Sequence, residues 1–226
     1  MKRRVSVMGD FCMALICFSI QTECIHAESI VLPDVGAREG MPLDSVLALR
    51  RSVREFSPEN VSVDDVARLL WAGQGITNEN GYRTAPSAGG LYPIDLYLFA
   101  RAVDDLDTGV YRYVPETHTL DIISRRDIHD ELGEAALDQE WVRGAPVIII
   151  LAGVPDRTYV KYGDRAWRYV LIESGCVAQN ILLESTGLRL VSVIVGAFYD
   201  ERIRPLLGIQ PAVHPLAIIC IGSQQE

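Results

Sequence analysis

Apolar residues along this chain follow two rhythms, and the places where one gives way to the other outline its elements. Residues 94–100 (IDLYLFA) alternate as a strand does, and 110–114 and 119–123 repeat the pattern beyond an acidic, glycine-containing turn at 104–109. Such short spacing predicts antiparallel hairpins. The run PVIIILAG at 146–153 is continuously apolar and β-branched, as expected of a strand buried on both faces. Residues 191–195 and 215–221 complete the sheet.

Helical spacing appears elsewhere. A short helix is predicted over 43–51. Ser62 followed by Asp65 resembles a capping box that opens a second helix, in which Val66, Leu69, Leu70 and Gly73 recur on one side. A third is expected at 127–138. The longest covers 166–186, with Val170, Val177, Ile181 and Glu184 on one face and Gly187 as its stop. Residues 28–42 read as an irregular lead-in, and 73–93, rich in Gly, Asn, Ser and Pro, as a loop. Hairpins combined with helical crossovers define an α+β class, with a mixed or antiparallel sheet flanked by helices in one domain over 28–226.

Composition narrows the function classes. With 49% hydrophobic and 23% charged residues among 226, the chain supports one sizeable core. A formal net charge of -9 argues against nucleic-acid binding, since phosphate backbones demand a basic surface. An anionic ligand must therefore be held by a local cluster of cations.

The first 27 residues stand apart. Lys2, Arg3 and Arg4 precede an apolar stretch at 11–20, and a polar tract leads to Ala27. This is the layout of a secretory signal cleaved after Ala27, which implies an exported protein. Asp10 and Ile25 fit that layout imperfectly, so a mis-assigned start and a cytoplasmic protein are the alternative. The apolar stretch is too short for a stable membrane span. Arg3-Arg4 also suits a twin-arginine signal, although the VSVM that follows matches poorly. Cleavage would leave Cys176 and Cys220, read as buried free thiols without metal-binding spacing, with a disulfide between them as the alternative. The histidines (His26, His118, His129 and His214) are too scattered to suggest a metal site.

Three motifs carry candidate chemistry. Arg50, Arg51, Ser52 and Arg54 offer guanidinium forks and a hydroxyl suited to a phosphate monoester. Taken alone, they equally describe a solvated basic helix end. In residues 83–93 (RTAPSAGGLYP), small residues would let backbone amides approach a planar ligand, and Ser87 could donate to it. The same composition also fits a plain loop. Neither a GxGxxG nor a P-loop is present. Lys161-Tyr162, taken alone, reads as part of a charged surface loop with Asp164 and Arg165. Glu173, Gln179 and Asn180 interrupt an apolar helix and read as buried structural groups bonded to backbone. Trp71, Trp141 and Trp167 read as packing residues.

RRSVREF followed by RTAPSAGGLYPIDLYL resembles the nitroreductase superfamily, in particular its SagB-type dehydrogenase branch. The likeness continues through LLWAGQGIT, QEWVRGAPVIII, KYGDRAWRY, ESGCVAQNILL and VGAF, and so covers nearly everything after residue 42. It implies an FMN-binding homodimer with flavins at the subunit interface. Arg50, Arg51, Ser52 and Arg54 would hold the phosphate and ribityl chain. Pro86, Ser87 and Ala88 would approach the flavin from the partner subunit, and Val195, Gly196 and Ala197 would lie by the ring. In azoline oxidases of this branch a Lys-Tyr pair is implicated in catalysis, which Lys161 and Tyr162 match. Cys176 stands where the branch often carries His, and His214-Pro215 replaces a more acidic approach to the last strand.

The resemblance implies an FMN-dependent oxidoreductase carrying electrons from a reduced donor such as NAD(P)H to a small organic acceptor. An FMN-dependent azoline oxidase acting on a modified ribosomal peptide is the alternative. A non-catalytic flavin-binding partner protein is a third reading, of another class.

Overall fold

The computed structural model describes residues 28–36 and 40–225. The leader motif at 1–27 lies outside the described residues. Among the described residues, seven strands form one sheet: β1 (Ser29–Val31), β2 (Ile94–Ala100), β3 (Gly109–Val114), β4 (Thr119–Ser124), β5 (Val147–Gly153), β6 (Val191–Val195) and β7 (His214–Gly222). Their spatial order is β1-β4-β3-β2-β5-β7-β6, and every neighbouring pair is antiparallel.

The central strand β5 explains the continuous apolar run. Its Val147, Ile149 and Leu151 enter one core while Ile148, Ile150 and Ala152 enter the other. Strand β2 divides likewise, with Leu96 and Leu98 opposite Tyr97 and Phe99. The first core is closed by α2 (Val63–Gln74) and α6 (Ala166–Gly187), which contribute Leu69, Leu70, Val177 and Ile181. The second is closed by α3 (His129–Ala135), α4 (Glu140–Gly144) and α7 (Asp200–Leu206). A Cβ on Gly73 would meet Ile181 Cδ1 and Leu96 Cδ1 at 3.0 Å each, so the missing side chain lets α2 approach α6 and the sheet.

Several expectations are met locally. Helix α1 (Leu43–Leu49) forms two residues shorter than expected, and the Ser62 side chain caps α2 by accepting from the Asp65 N–H at 3.1 Å. Gly187 does not stop α6 in the expected way. It is the last helical residue, and the left-handed position falls on Arg189 at φ 64°. The Leu190 and Arg189 N–H groups return to Ser185 and Thr186 carbonyls at 2.9 and 3.0 Å, a Schellman closure.

Other elements departed from the reading. The lead-in contains β1. The helix expected over 127–138 ends at Ala135, because Leu137 and Asp138 both take positive φ. Helices α4 and α7 were not anticipated, nor was α5 (Pro155–Tyr162), whose end carries Lys161 and Tyr162. Only Pro155 and Thr158 of α5 are buried, so no apolar rhythm marks it as a helix.

Candidate active site

The Arg-rich segment follows α1 as extended chain. Ser52 bridges to Ser192 of the edge strand β6, and the Val53 N–H donates to the Ser192 carbonyl at 3.0 Å. The segment therefore extends the sheet edge, which holds its backbone while its side chains face outward. Arg51 Nη1 donates to the Ala48 and Arg50 carbonyls at 2.9 and 2.8 Å, so one of its forks is turned onto its own chain. Arg54 lies over the Trp141 ring at 5.2 Å. Trp141 thus packs against the second core and also supports a cation. Among the described residues, no carboxylate forms an ion pair with Arg50 or Arg54.

Val195, Gly196 and Ala197 lie on the same edge, starting three residues beyond Ser192, or roughly 10 Å along an extended strand. Val195 is buried, whereas Gly196 and Ala197 are exposed. A Cβ on Gly196 would meet nothing within 4 Å, and Ala197 is held through its carbonyl by Gln139 Nε2 at 3.0 Å. The phosphate motif and the ring-contact motif therefore share one edge of the sheet, with open space beside the glycine.

A second cluster forms around the loop of Pro86, Ser87 and Ala88. Thr84 Oγ1 ties the loop to the Trp71 carbonyl at 3.0 Å, and Asn180 Nδ2 of α6 donates to the Thr84 carbonyl at 3.3 Å. Ser87 Oγ accepts from the Tyr92 N–H at 2.8 Å. Gly89 takes φ 66°, and a Cβ there would lie 2.8 Å from Lys161 Nζ and 3.0 Å from the Tyr162 hydroxyl. The end of α5 thus lies against this loop, with Lys161 exposed and Tyr162 half-buried. Tyr162 also packs on Tyr169 of α6, with ring centroids 4.5 Å apart.

Beneath the loop lies Glu173, 2% exposed on α6. Neither carboxylate oxygen completes a hydrogen bond, contrary to the expected bond to backbone. Burial raises its pKa above the usual carboxylate range. The Ser87 hydroxyl and Gln74 amide, which lie against it, and the more distant Arg83 and Arg157 pull in the opposite direction. Gln74 Oε1 accepts from Arg83 Nη1 at 3.0 Å, and its Nε2 is buried without a partner. Gln74 and Arg83 also line a cavity of about 320 Å³, together with Tyr92, Asp95, Tyr113 and Arg157. Of the other two residues expected to be buried, Asn180 is half-buried and tied to the loop, while Gln179 is exposed.

Sequence reading singled out Glu173 and included Arg83 in the 83–93 motif without a role for it, but missed Gln74 and the Arg157–Asp95 pair. Arg157 grips Asp95 at 2.6 and 2.9 Å, joining α5 to β2. No local spacing connects residues so far apart. Cys176 and Cys220 are both free, but only Cys220 is fully buried; desolvation pushes its thiol up to about 12. Trp167 is largely exposed and meets His214 edge-on at 4.9 Å, so packing against the core is not its role.

The antiparallel sheet flanked by helices agrees with what comparison shows: residues 47–223 match the nitroreductase family, and the chain belongs to it. A candidate nitroreductase of Methanocaldococcus jannaschii is 42% identical over 197 residues, covering 87% of this chain and 97% of that protein. The Escherichia coli microcin B17-processing protein McbC is 24% identical, over 64% of this chain and 55% of its own length. A candidate nitroreductase structure from Ralstonia eutropha superposes with a TM-score of 0.78 at 27% identity, covering 89% of this chain and 92% of that one. The chain is an oxidoreductase of nitroreductase fold with relatives in the SagB-type branch.

Proposed function

We propose that the protein binds FMN and carries two electrons from a reduced donor such as NAD(P)H to a small organic acceptor. The observation that carries this reading is the convergence of Lys161 Nζ and the Tyr162 hydroxyl on Gly89, inside the loop expected to face the flavin. The residues present fit the cofactor. Arg50, Ser52 and Arg54 offer phosphate donors on a fixed backbone, and Gly196 leaves room beside it. Bound FMN would supply the redox chemistry. Lys161 would favour negative charge on the reduced ring, and the Tyr162 hydroxyl would give or take a proton at the substrate.

Assembly as a homodimer is part of the proposal, because one protomer separates the two clusters. Gly187, at one end of α6, adjoins Val46 of α1, which leads into residues 50–54. Tyr169, near the other end, packs on Tyr162. At 1.5 Å per residue the two points are roughly 27 Å apart. A second copy running antiparallel along α6 would bring its loop to the first copy's arginines. Exposed Trp167, Leu171 and Ile172 on α6, Tyr159 and Val160 on α5 and Leu47 on α1 are the apolar surface such a partner would cover. Leu171→Asp should yield a monomer that loses FMN; a flavinated monomer of the wild type in sedimentation would overturn the dimer.

Anaerobic mixing with NADH or NADPH tests the electron donor, and rapid bleaching of the yellow protein is expected. A yellow protein that neither nucleotide bleaches would leave a non-catalytic flavin-binding partner and the second reading, an azoline oxidase for a modified peptide. The Lys161-Tyr162 pair and the likeness to McbC are the observations behind it. We further propose export with cleavage after Ala27, which intact-mass analysis of the mature protein would check.

A further inference from the structure

We propose that Glu173 takes up a proton when FMN bound against the loop of Pro86, Ser87 and Ala88 is reduced, the two sites being coupled through Ser87. This rests on the flavin assignment above and adds a residue to the machinery of that site.

The argument begins with hydrogen-bond directions. Ser87 Oγ already accepts from the Tyr92 N–H, so its own proton is free for another acceptor. Gln74 Oε1 is occupied by Arg83, so Nε2 is the donor left, and it has no partner. Both groups lie against the Glu173 carboxylate, one from the loop and one from α2. The charged groups facing Glu173 are Arg83, which pairs with Glu116, and Arg157, which pairs with Asp95. These surroundings favour the carboxylate, while burial favours the acid. Glu173 is therefore held between two opposing influences, and a new negative charge nearby would tip it toward protonation.

The cavity lined by Gln74 and Arg83 borders the cluster at those two residues and not at Glu173 itself, so the proposed proton path runs from it past Gln74. Bound FMN would supply negative charge beside the loop once it holds the donor's two electrons. One proton then moves from solvent onto a Glu173 carboxylate oxygen, and no carbon bond forms or breaks. Delivery of the electrons to the acceptor releases that proton to solvent. A carboxyl serving only to anchor Ser87 would not change its protonation with the flavin's oxidation state.

Electrochemical titration of the FMN-loaded protein from about pH 5 to 8 provides the test. The wild type should show an interval in which the potential falls with pH at the slope of one extra proton per two electrons. Glu173→Gln keeps the shape and can still accept from Ser87, and it should lose that interval. Glu173→Asp should restore it. Identical slopes in wild type and Glu173→Gln at every pH would overturn the proposal. A second measurement needs only the wild type: infrared difference spectra on electrochemical reduction should show a protonated-carboxyl band appear. Its absence would also overturn the proposal, so a Glu173→Gln protein that fails to fold does not shelter it. Protein that cannot be loaded with FMN would instead overturn the cofactor assignment on which the proposal stands.

Discussion

The two halves of the candidate site are built on opposite principles. The sheet-edge half, with residues 50–54 and 195–197, fixes its backbone and leaves its side chains outward. Ser52 and Val53 lock onto Ser192, while Arg50 and Arg54 form no ion pair among the described residues. The loop half is crowded. Lys161 Nζ and the Tyr162 hydroxyl occupy the space a Cβ on Gly89 would need, and beneath them Glu173 and Gln74 are buried with polar atoms unsatisfied. Unpaired exposed arginines cost little and keep their donors ready for an anion. Unsatisfied buried polar groups are costly to leave, and they persist where chemistry uses them. The difference suggests that affinity resides at the sheet edge and reactivity at the loop.

The strongest way to break that division is at Lys161. Lys161→Ala should lower turnover on the order of 10²–10³-fold, the usual loss for one contact that stabilises developing charge. It should remain folded and yellow, and its flavin should become harder to reduce. Tyr162→Phe should slow the chemical step and leave the potential nearly unchanged. Stopped-flow reduction and potentiometry check both, and loss of bound flavin in both variants would move affinity to the loop half.

Arg54→Ala should do the converse, weakening FMN binding by roughly 2–4 kcal/mol, as for one lost partner of a desolvated charge pair. Riboflavin, which lacks the phosphate, should bind wild type and variant alike in fluorescence titrations. Equal losses for the two ligands would show that Arg54, lying on Trp141, acts through folding.

Gly89→Ala sharpens the crowded half. A side chain at φ 66° costs about 1–2 kcal/mol, and its methyl would displace Lys161 Nζ. Thermal unfolding should report the first effect and turnover the second. A variant of reduced stability with wild-type turnover would show that the Lys161 contact with the loop is dispensable.

The smallest effect expected is a slope in stability with pH. The pKa of Glu173 is raised above its unfolded value of 4.5, so the folded protein keeps a proton that the unfolded chain gives up. Stability should therefore be greatest below that value and fall as pH rises toward the folded pKa. Glu173→Gln should lack this decline in denaturant titrations. Parallel profiles for the two proteins would mean that folding leaves the Glu173 pKa unchanged.

Much of this molecule is legible in its residues because local physics decides it. Strand β5 announces double burial through its composition, and Ser62 announces a helix start through a hydroxyl within reach of the Asp65 N–H. The motif at 50–54 is visible because its chemistry lies in adjacent residues. Tertiary structure decided the rest. The polar helix α5 has no apolar rhythm, so only its packing against α6 and the Arg157–Asp95 pair reveal that Lys161 ends a helix on the loop. The left-handed residue that closes α6 moved from Gly187 to Arg189, since the pairing of β6 with β7 determines where the chain must turn. Glu173 could be noticed as a polar residue in an apolar helix. That it is buried beside Gln74 and Ser87, which lie far from it in sequence, is decided only when α2, α6 and the loop close over one core.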